Sequence, residues 1–325
     1  MRSSGIGGQA VIEGIMMKNK EDYAVAVRKP DGEIQVEKSS YAGISGKSKF
    51  FRLPFVRGIF NLADSLALGT KTLTFSAGFY EEEEGEPGKF EKFLTRVFGE
   101  KLEKVLTGVT VLLSVVFAVG LFMLLPAWAA DWMKTWMPEW AVAVLEGLLR
   151  IGIFIGYVLL ISRMEDIRRT FMYHGAEHKC INCIEHGLPL TVENVMKSSK
   201  QHKRCGTSFL LFVMVISIFC FMIIRVDTMW LKLVSRVLLI PVIAGISYEF
   251  LRLAGNSENP VVNALSRPGL WLQNLTTKEP EENMVPVAIA AVEAVFDWRS
   301  WEEENCGLKP AVMEAAVSGE EAAEK

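Results

Sequence analysis

Histidine is scarce in this chain: four occur among 325 residues, and all lie between His174 and His202. Cysteine is almost as scarce. There are five, an odd number, and Cys180, Cys183 and Cys205 fall in or beside the histidine window. That count and clustering argue against a disulfide framework and for reduced thiols or a metal site. Excess basic charge is also missing. The net charge of −3 gives no broad positive field, so nucleic acid is not an expected partner. Met1-Arg2-Ser3-Ser4-Gly5 leads into no apolar h-region, so a secretory signal is not expected. The glycines of Gly7-Gly8-Gln9-Ala10-Val11-Ile12-Glu13-Gly14 open no GxGxxG or Walker pattern, which leaves tight turns rather than a phosphate cradle.

What is present is apolar length. Half of the residues are hydrophobic. Val105 to Pro126 is 22 residues without a charge, enough to cross about 30 Å of hydrocarbon. Trp128, Trp132, Trp136 and Trp140 follow, as residues of a water–lipid boundary do. Ala141 to Ser162 is a second expected span, with Glu146 and Arg150 placed to pair at i,i+4. Ser208 to Val226 is a third. Trp230 to Leu253 is a fourth, interrupted by Lys232, Arg236, Pro241 and Glu249, which a bundled helix or a re-entrant one can accommodate. The stretch 163–207 carries Arg163, Arg168, Arg169, Lys179, Lys197, Lys200, Lys203 and Arg204, whereas 127–140 carries only Lys134. The positive-inside rule therefore places 163–207, and with it both termini, in the cytoplasm.

The expected fold class is mainly α: a polytopic α-helical membrane protein of about four spans with a small cytoplasmic β-containing N-terminal part. In that part, Tyr23–Arg28 and Ile34–Glu37 around Lys29-Pro30-Asp31-Gly32 read as a hairpin. Ile59 to Phe79 reads as an amphipathic helix, packed or lying on the membrane. The organisation by residue is a cytoplasmic region 1–79, an acidic linker and pre-membrane helix 80–104, spans one and two in 105–162, a polar loop 163–207, spans three and four in 208–253, and a cytoplasmic region 254–325. In the last, Asn259-Pro260 and Arg267-Pro268-Gly269 read as turns. Met284–Trp298 reads as an amphipathic helix, and the Ala/Glu tail after Pro310 as frayed.

The polar stretch carries the chemistry. His174-Gly175-Ala176-Glu177-His178 is H-x-x-E-H. On a helix, positions i and i+4 share a face, so both imidazoles can reach one cation while Glu177 lies beside them. Gly175 weakens a helix at that point. His202, Cys205 and Glu249 are candidates to complete the ligand set, and Glu177 is the candidate general base in metal-assisted hydrolysis. The ion is expected to be divalent, with zinc favoured by the ligand types. Two other readings stay open. Cys180-x2-Cys183 and His202-x2-Cys205 have zinc-ribbon spacing and could close a structural site in a scaffold or assembly factor. Alternatively, the cysteines are small buried hydrophobes and the histidines hydrogen-bonded core residues. A metal transporter is disfavoured, because the ligands lie outside the spans. Expected partners are the lipid bilayer and a lipid-linked or membrane-embedded substrate.

Several stretches together resemble the YqhQ family of bacterial membrane proteins: Gly7–Gly14, Tyr173–Lys179, Leu190–Val195, Arg204–Phe209 and Pro268–Gln273. The resemblance runs over about residues 5–300. It implies a bacterial inner-membrane location and a metal-dependent enzyme, with His174, Glu177, His178, His202 and Cys205 as motif positions. It places Cys180 and Cys183 in a more variable part of the pattern. It implies no particular reaction.

Overall fold

The computed structural model describes residues 3–46, 48–80, 102–224, 228–257 and 259–307. The acidic run 81–88, the turn at Asp227 and the tail after Pro310 lie outside them. The chain divides into two compact units. One holds residues 1–80, 158–213 and 240–325, and the other holds 81–157 and 214–239.

The first unit is built on an antiparallel meander: β1 (Gly7–Val11), β2 (Gly14–Asn19), β3 (Asp22–Arg28) and β4 (Ile34–Ser40), paired in that order. The expected hairpin is thus the second half of a four-stranded sheet. The glycine-punctuated segment before it is a strand, whose turn into β2 passes through Glu13 at φ 47°. Gly14 opposes Val27 across the β2–β3 pair, and a Cβ there would meet the Ala26 carbonyl oxygen at 2.3 Å. Alternate side chains of β2 and β3 point to opposite faces, and both faces are covered. Ile15, Met17, Ala24 and Ala26 pack on one side, in a core that includes Tyr173, Ile181 and Ile184. Met16, Tyr23, Val25 and Val27 pack on the other with Leu68. This double burial is why Tyr23–Val27 reads as an unbroken apolar run rather than an alternating one. Each of the larger buried side chains contributes about 1.5–3 kcal/mol.

The helices in chain order are α1 (Val56–Ala77), α2 (Leu102–Val119), α3 (Leu125–Asp131), α4 (Glu139–Ile161), α5 (Glu165–Glu185), α6 (Val192–Lys197), α7 (Gly206–Ile223), α8 (Met229–Asn256), α9 (Pro260–Thr276), α10 (Val285–Val295) and α11 (Trp298–Cys306). Gly120–Leu124, between α2 and α3, widens into π geometry. Among the described residues, four helical stretches are long and apolar enough to cross a membrane: Gly108–Thr135, Glu139–Ile161, Gly206–Ile223 and Leu233–Asn256.

Two expectations are corrected here. The polar stretch 163–207 is mostly helical, because α5 and α6 occupy it. Arg267-Pro268-Gly269 is not a turn but the interior of α9. Asn259 caps that helix by accepting from the Val261 N–H at 2.8 Å, and Pro260 starts it, where a missing N–H costs nothing. Pro268 carries the usual penalty of about 3 kcal/mol, offset by packing: Leu272 and Gln273 are fully buried.

In the second unit the expected Glu146–Arg150 pair forms at 2.8 Å. Arg236 joins it, donating to the other Glu146 oxygen at 2.6 Å. Both guanidinium groups stack on Phe221, at 5.1 and 5.0 Å. Arg150 also donates to Ser217 Oγ at 2.9 Å and to the Phe122 carbonyl at 3.0 Å, inside the π segment.

Candidate metal centre

α5 opens with Glu165 and Asp166, whose charges suit the positive end of a helix. From Met172 to Glu185 all but His174 are buried, including Glu177, His178, Lys179, Asn182 and Glu185. Buried polar side chains need partners, and the chain from Met196 to Gln201 supplies them as a strip of backbone carbonyls. Lys179 Nζ donates to the Met196 and Ser198 carbonyls, each at 2.8 Å. Asn182 Nδ2 donates to those of Ser199 at 2.6 Å and Gln201 at 2.9 Å. His178 Nδ1 lies 2.7 Å from the Lys200 carbonyl oxygen.

Gly175 is explained by a second strand of chain on the same helix. A Cβ at that position would meet the Lys278 carbonyl oxygen at 2.0 Å. Without it, the link after α9 lies against α5. The Lys278 N–H donates to the Phe171 carbonyl at 2.9 Å, and the Thr276 carbonyl sits 3.0 Å from His174 Nδ1. A carbonyl only accepts, so both histidines carry their proton on Nδ1 and turn an Nε2 lone pair away from the backbone.

Those lone pairs converge with a sulfur. His174 Nε2 is 3.3 Å from Cys205 Sγ, and the two imidazole centres are 4.4 Å apart. One donor atom from each of His174, His178 and Cys205 lies within 4.8 Å of the others. The Thr207 N–H, in the first turn of α7, donates to the sulfur at 3.4 Å. Glu177 stands beside the set, with Oε2 3.9 Å from His174 Nε2. Its Oε1 accepts the Gly8 N–H at 3.0 Å. Burial raises the Glu177 carboxyl above the ordinary range, only partly offset by His174 and the Gly8 N–H. These groups border a cavity of about 100 Å³, which Ile6, Gly8, His202 and Arg204 also line.

His202 reaches the cavity but not the donor cluster. Its ring centre is 5.7 Å from that of His178, and its Nε2 faces Glu185 Oε2 at 3.5 Å. Burial lowers the His202 imidazole, against the pull of Glu185. Burial alone would raise Glu185, but His202 and Arg204 outweigh it and bring the carboxyl down to about 2. The His202 backbone is fixed by Gln273, which accepts its N–H at 2.9 Å and donates to its carbonyl at 2.8 Å.

Glu249 is elsewhere. Arg57 grips its carboxylate through Nε at 2.7 Å and through Nη2, and the Phe55 N–H donates to it at 3.1 Å. Arg57, 192 positions away, is the hydrogen-bonded partner of Glu249, and Arg252 adds a favourable charge. The zinc-ribbon set is not assembled either. Cys180 is buried and its thiol is pushed well up by burial, with Cys183 and Glu177 adding to the effect. Cys183 is pushed up by burial to about 12 and donates to the Leu188 carbonyl at 3.3 Å. Gly8, Glu185, Gln273 and Thr276 were not anticipated as parts of the site. Gly8 and Gln273 lie in the quoted motifs, but no spacing rule relates them to the histidines.

A profile of the family described as "Protein of unknown function (DUF1385)" matches residues 53–298. The "Uncharacterized protein YqhQ" of Bacillus subtilis (strain 168) is 38% identical over 301 residues, covering 92% of this chain and 94% of that protein. No solved structure matches.

Proposed function

Since this chain belongs to the DUF1385 family, to which no activity is attached, we propose from the site alone that it is a membrane-embedded, metal-dependent hydrolase working at the cytoplasmic face. The observation that carries the reading is the convergence of His174, His178 and Cys205, with both Nδ1 protons tied to backbone carbonyls. Two imidazole nitrogens and one thiol are the donor types that zinc takes, and three protein ligands leave a fourth position open. The tied Nδ1 protons are the outer-shell arrangement common to metal-ligating histidines. His174, His178 and Cys205 would hold the ion. A divalent ion in such a set supplies Lewis acidity.

The chain's own groups do the rest. The Gly8 N–H holds one Glu177 oxygen and leaves the other facing His174, placed to accept a proton and return it. Arg204, tied to Glu185, walls the cavity beside Cys205. The cavity admits a scissile group rather than a whole substrate, so most of the substrate would lie outside it. Four apolar helices and the basic 163–207 stretch support placing that substrate at the inner leaflet.

Burial of His178 and Cys205 favours a second reading, a structural ion in a scaffold. Glu177→Gln separates the two. On the hydrolase reading, the variant keeps its metal and loses the cellular function of the wild type. A variant with normal metal and normal function sinks the hydrolase and leaves the scaffold.

A further inference from the structure

The segment joining the sheet to α1 is unlike any other described loop. From Ser39 to Ala63 there is no acidic residue, while Lys47, Lys49, Arg52 and Arg57 supply four positive charges. Interleaved with them are apolar side chains that the fold does not cover: Phe50 is 59% exposed, Phe55 54% and Leu53 48%. An exposed run of aromatics set among cations is costly in water and matches the boundary of an anionic bilayer.

The segment is also held rigidly against a membrane-length helix. Phe55 takes a φ of 66°, a left-handed conformation unusual for a bulky residue. It is pinned there by its N–H bond to Glu249 and by Arg57, which grips the same carboxylate. Asn61 Nδ2 donates to Tyr248 Oη at 2.7 Å. Two glycines permit the approach. A Cβ on Gly245 would meet the Phe55 carbonyl oxygen at 2.5 Å, and one on Gly58 would meet Tyr248 Cβ at 2.6 Å. The contact zone Gly245–Glu249 lies within the apolar stretch Leu233–Asn256 and near its C-terminal end. At 1.5 Å per residue, Glu249 is about 10 Å from that end, the depth at which acyl chains give way to head groups. Beside this contact, a cleft of about 340 Å³ is lined by Gly46, Phe51, Arg52, Arg57 and Asn61.

We propose that Ser48–Arg57 is a docking strap for anionic phospholipid: Phe50, Leu53 and Phe55 enter the acyl boundary, Arg52 holds a lipid phosphate at the cleft, and the exposed Lys49 draws in a second. Charge complementarity and the fixed contact with α8 select this occupant. The strap would set the depth of the sheet, and with it that of Gly8 and Glu177, at the leaflet. The proposal rests on the four apolar helices being membrane spans and is independent of any metal.

The test uses the full chain reconstituted in nanodiscs of phosphatidylcholine, with or without phosphatidylglycerol, and hydrogen exchange over residues 44–60. Phosphatidylglycerol should slow exchange there. The protection should fall about fivefold for each charge removed in Lys49→Gln and Arg52→Gln, while the β2–β3 amides stay unchanged. Equal exchange in both lipids overturns the proposal. So does the same protection from inorganic phosphate in pure phosphatidylcholine, which would mark a small-anion site. Protection that appears only with two chains per disc would mark a self-interface and overturn it too. A chain that fails to enter nanodiscs overturns the span reading, and the strap with it.

Discussion

Two regions of this molecule bury polar groups, and they do so in opposite ways. In the second unit, Glu146, Arg150 and Arg236 satisfy one another, Ser217 and two π-segment carbonyls, so their donors and acceptors are consumed within the cluster. In the first unit, backbone carbonyls from 196–201 and 276 take side-chain N–H groups of α5 and leave Nε2 of His174 and of His178 turned off the backbone toward a thiol. The first arrangement uses side chains to hold helices together. The second uses backbone to hold side chains ready. Burial alone therefore does not distinguish structure from chemistry, whereas the fate of the lone pairs does.

This contrast can be broken most forcefully at Glu146. Removing it by Glu146→Ala strands two guanidinium groups in an apolar setting and should cost about 3–5 kcal/mol, seen as a lower melting temperature in detergent and poor membrane yield. Replacing Glu146, Arg150 and Arg236 together by Met and Leu should restore stability. In contrast, His174→Ala should leave the melt nearly unchanged. If His174→Ala unfolds the chain as Glu146→Ala does, the distinction between the two regions collapses.

A smaller effect is expected at Gly175. Gly175→Ala puts a methyl group on the Lys278 carbonyl and should destabilise by about 3 kcal/mol, displacing the Thr276 carbonyl that orients His174. The melt of this variant should fall, and so should its metal content. Normal metal content would show that the link after α9 does not orient the ring.

Glu302 sharpens the comparison as a third case, a fully buried carboxyl with neither oxygen hydrogen-bonded. Burial, partly offset by Arg299, raises it from 4.5 to about 8. A raised acid is protonated in the folded state at pH values where the unfolded chain has already lost its proton. Stability should therefore decline as pH rises from about 4.5 to about 8 and level off above that. Glu302→Gln should match wild type in acid and exceed it by about 5 kcal/mol above about pH 8. Melts that run parallel at all pH values would contradict this assignment.

Much of this organisation is legible from spacing. The four apolar stretches, the amphipathic α1, the Glu146–Arg150 pair and the shared face of His174 and His178 all follow from local periodicity. What escapes is set by distant chain. Gly175 argues against a helix until Lys278 is seen to need its space. Pro268 looks like a turn until Leu272 and Gln273 are seen buried. Glu249 looks available until Arg57 reaches it, and His202 until Glu185 does. For Gly175, Glu249 and His202 the partner lies between 17 and 192 positions away, a separation at which neither propensity nor periodicity carries information.

The most direct test is cobalt(II) loading of the purified full chain, read by optical absorption. The account predicts one ion per chain and a thiolate-to-cobalt charge-transfer band. That band should vanish in Cys205→Ser, weaken or vanish in His174→Ala and His178→Ala, and persist in His202→Ala and Glu249→Gln. A chain that takes up no cobalt, or a band that survives Cys205→Ser, would contradict it.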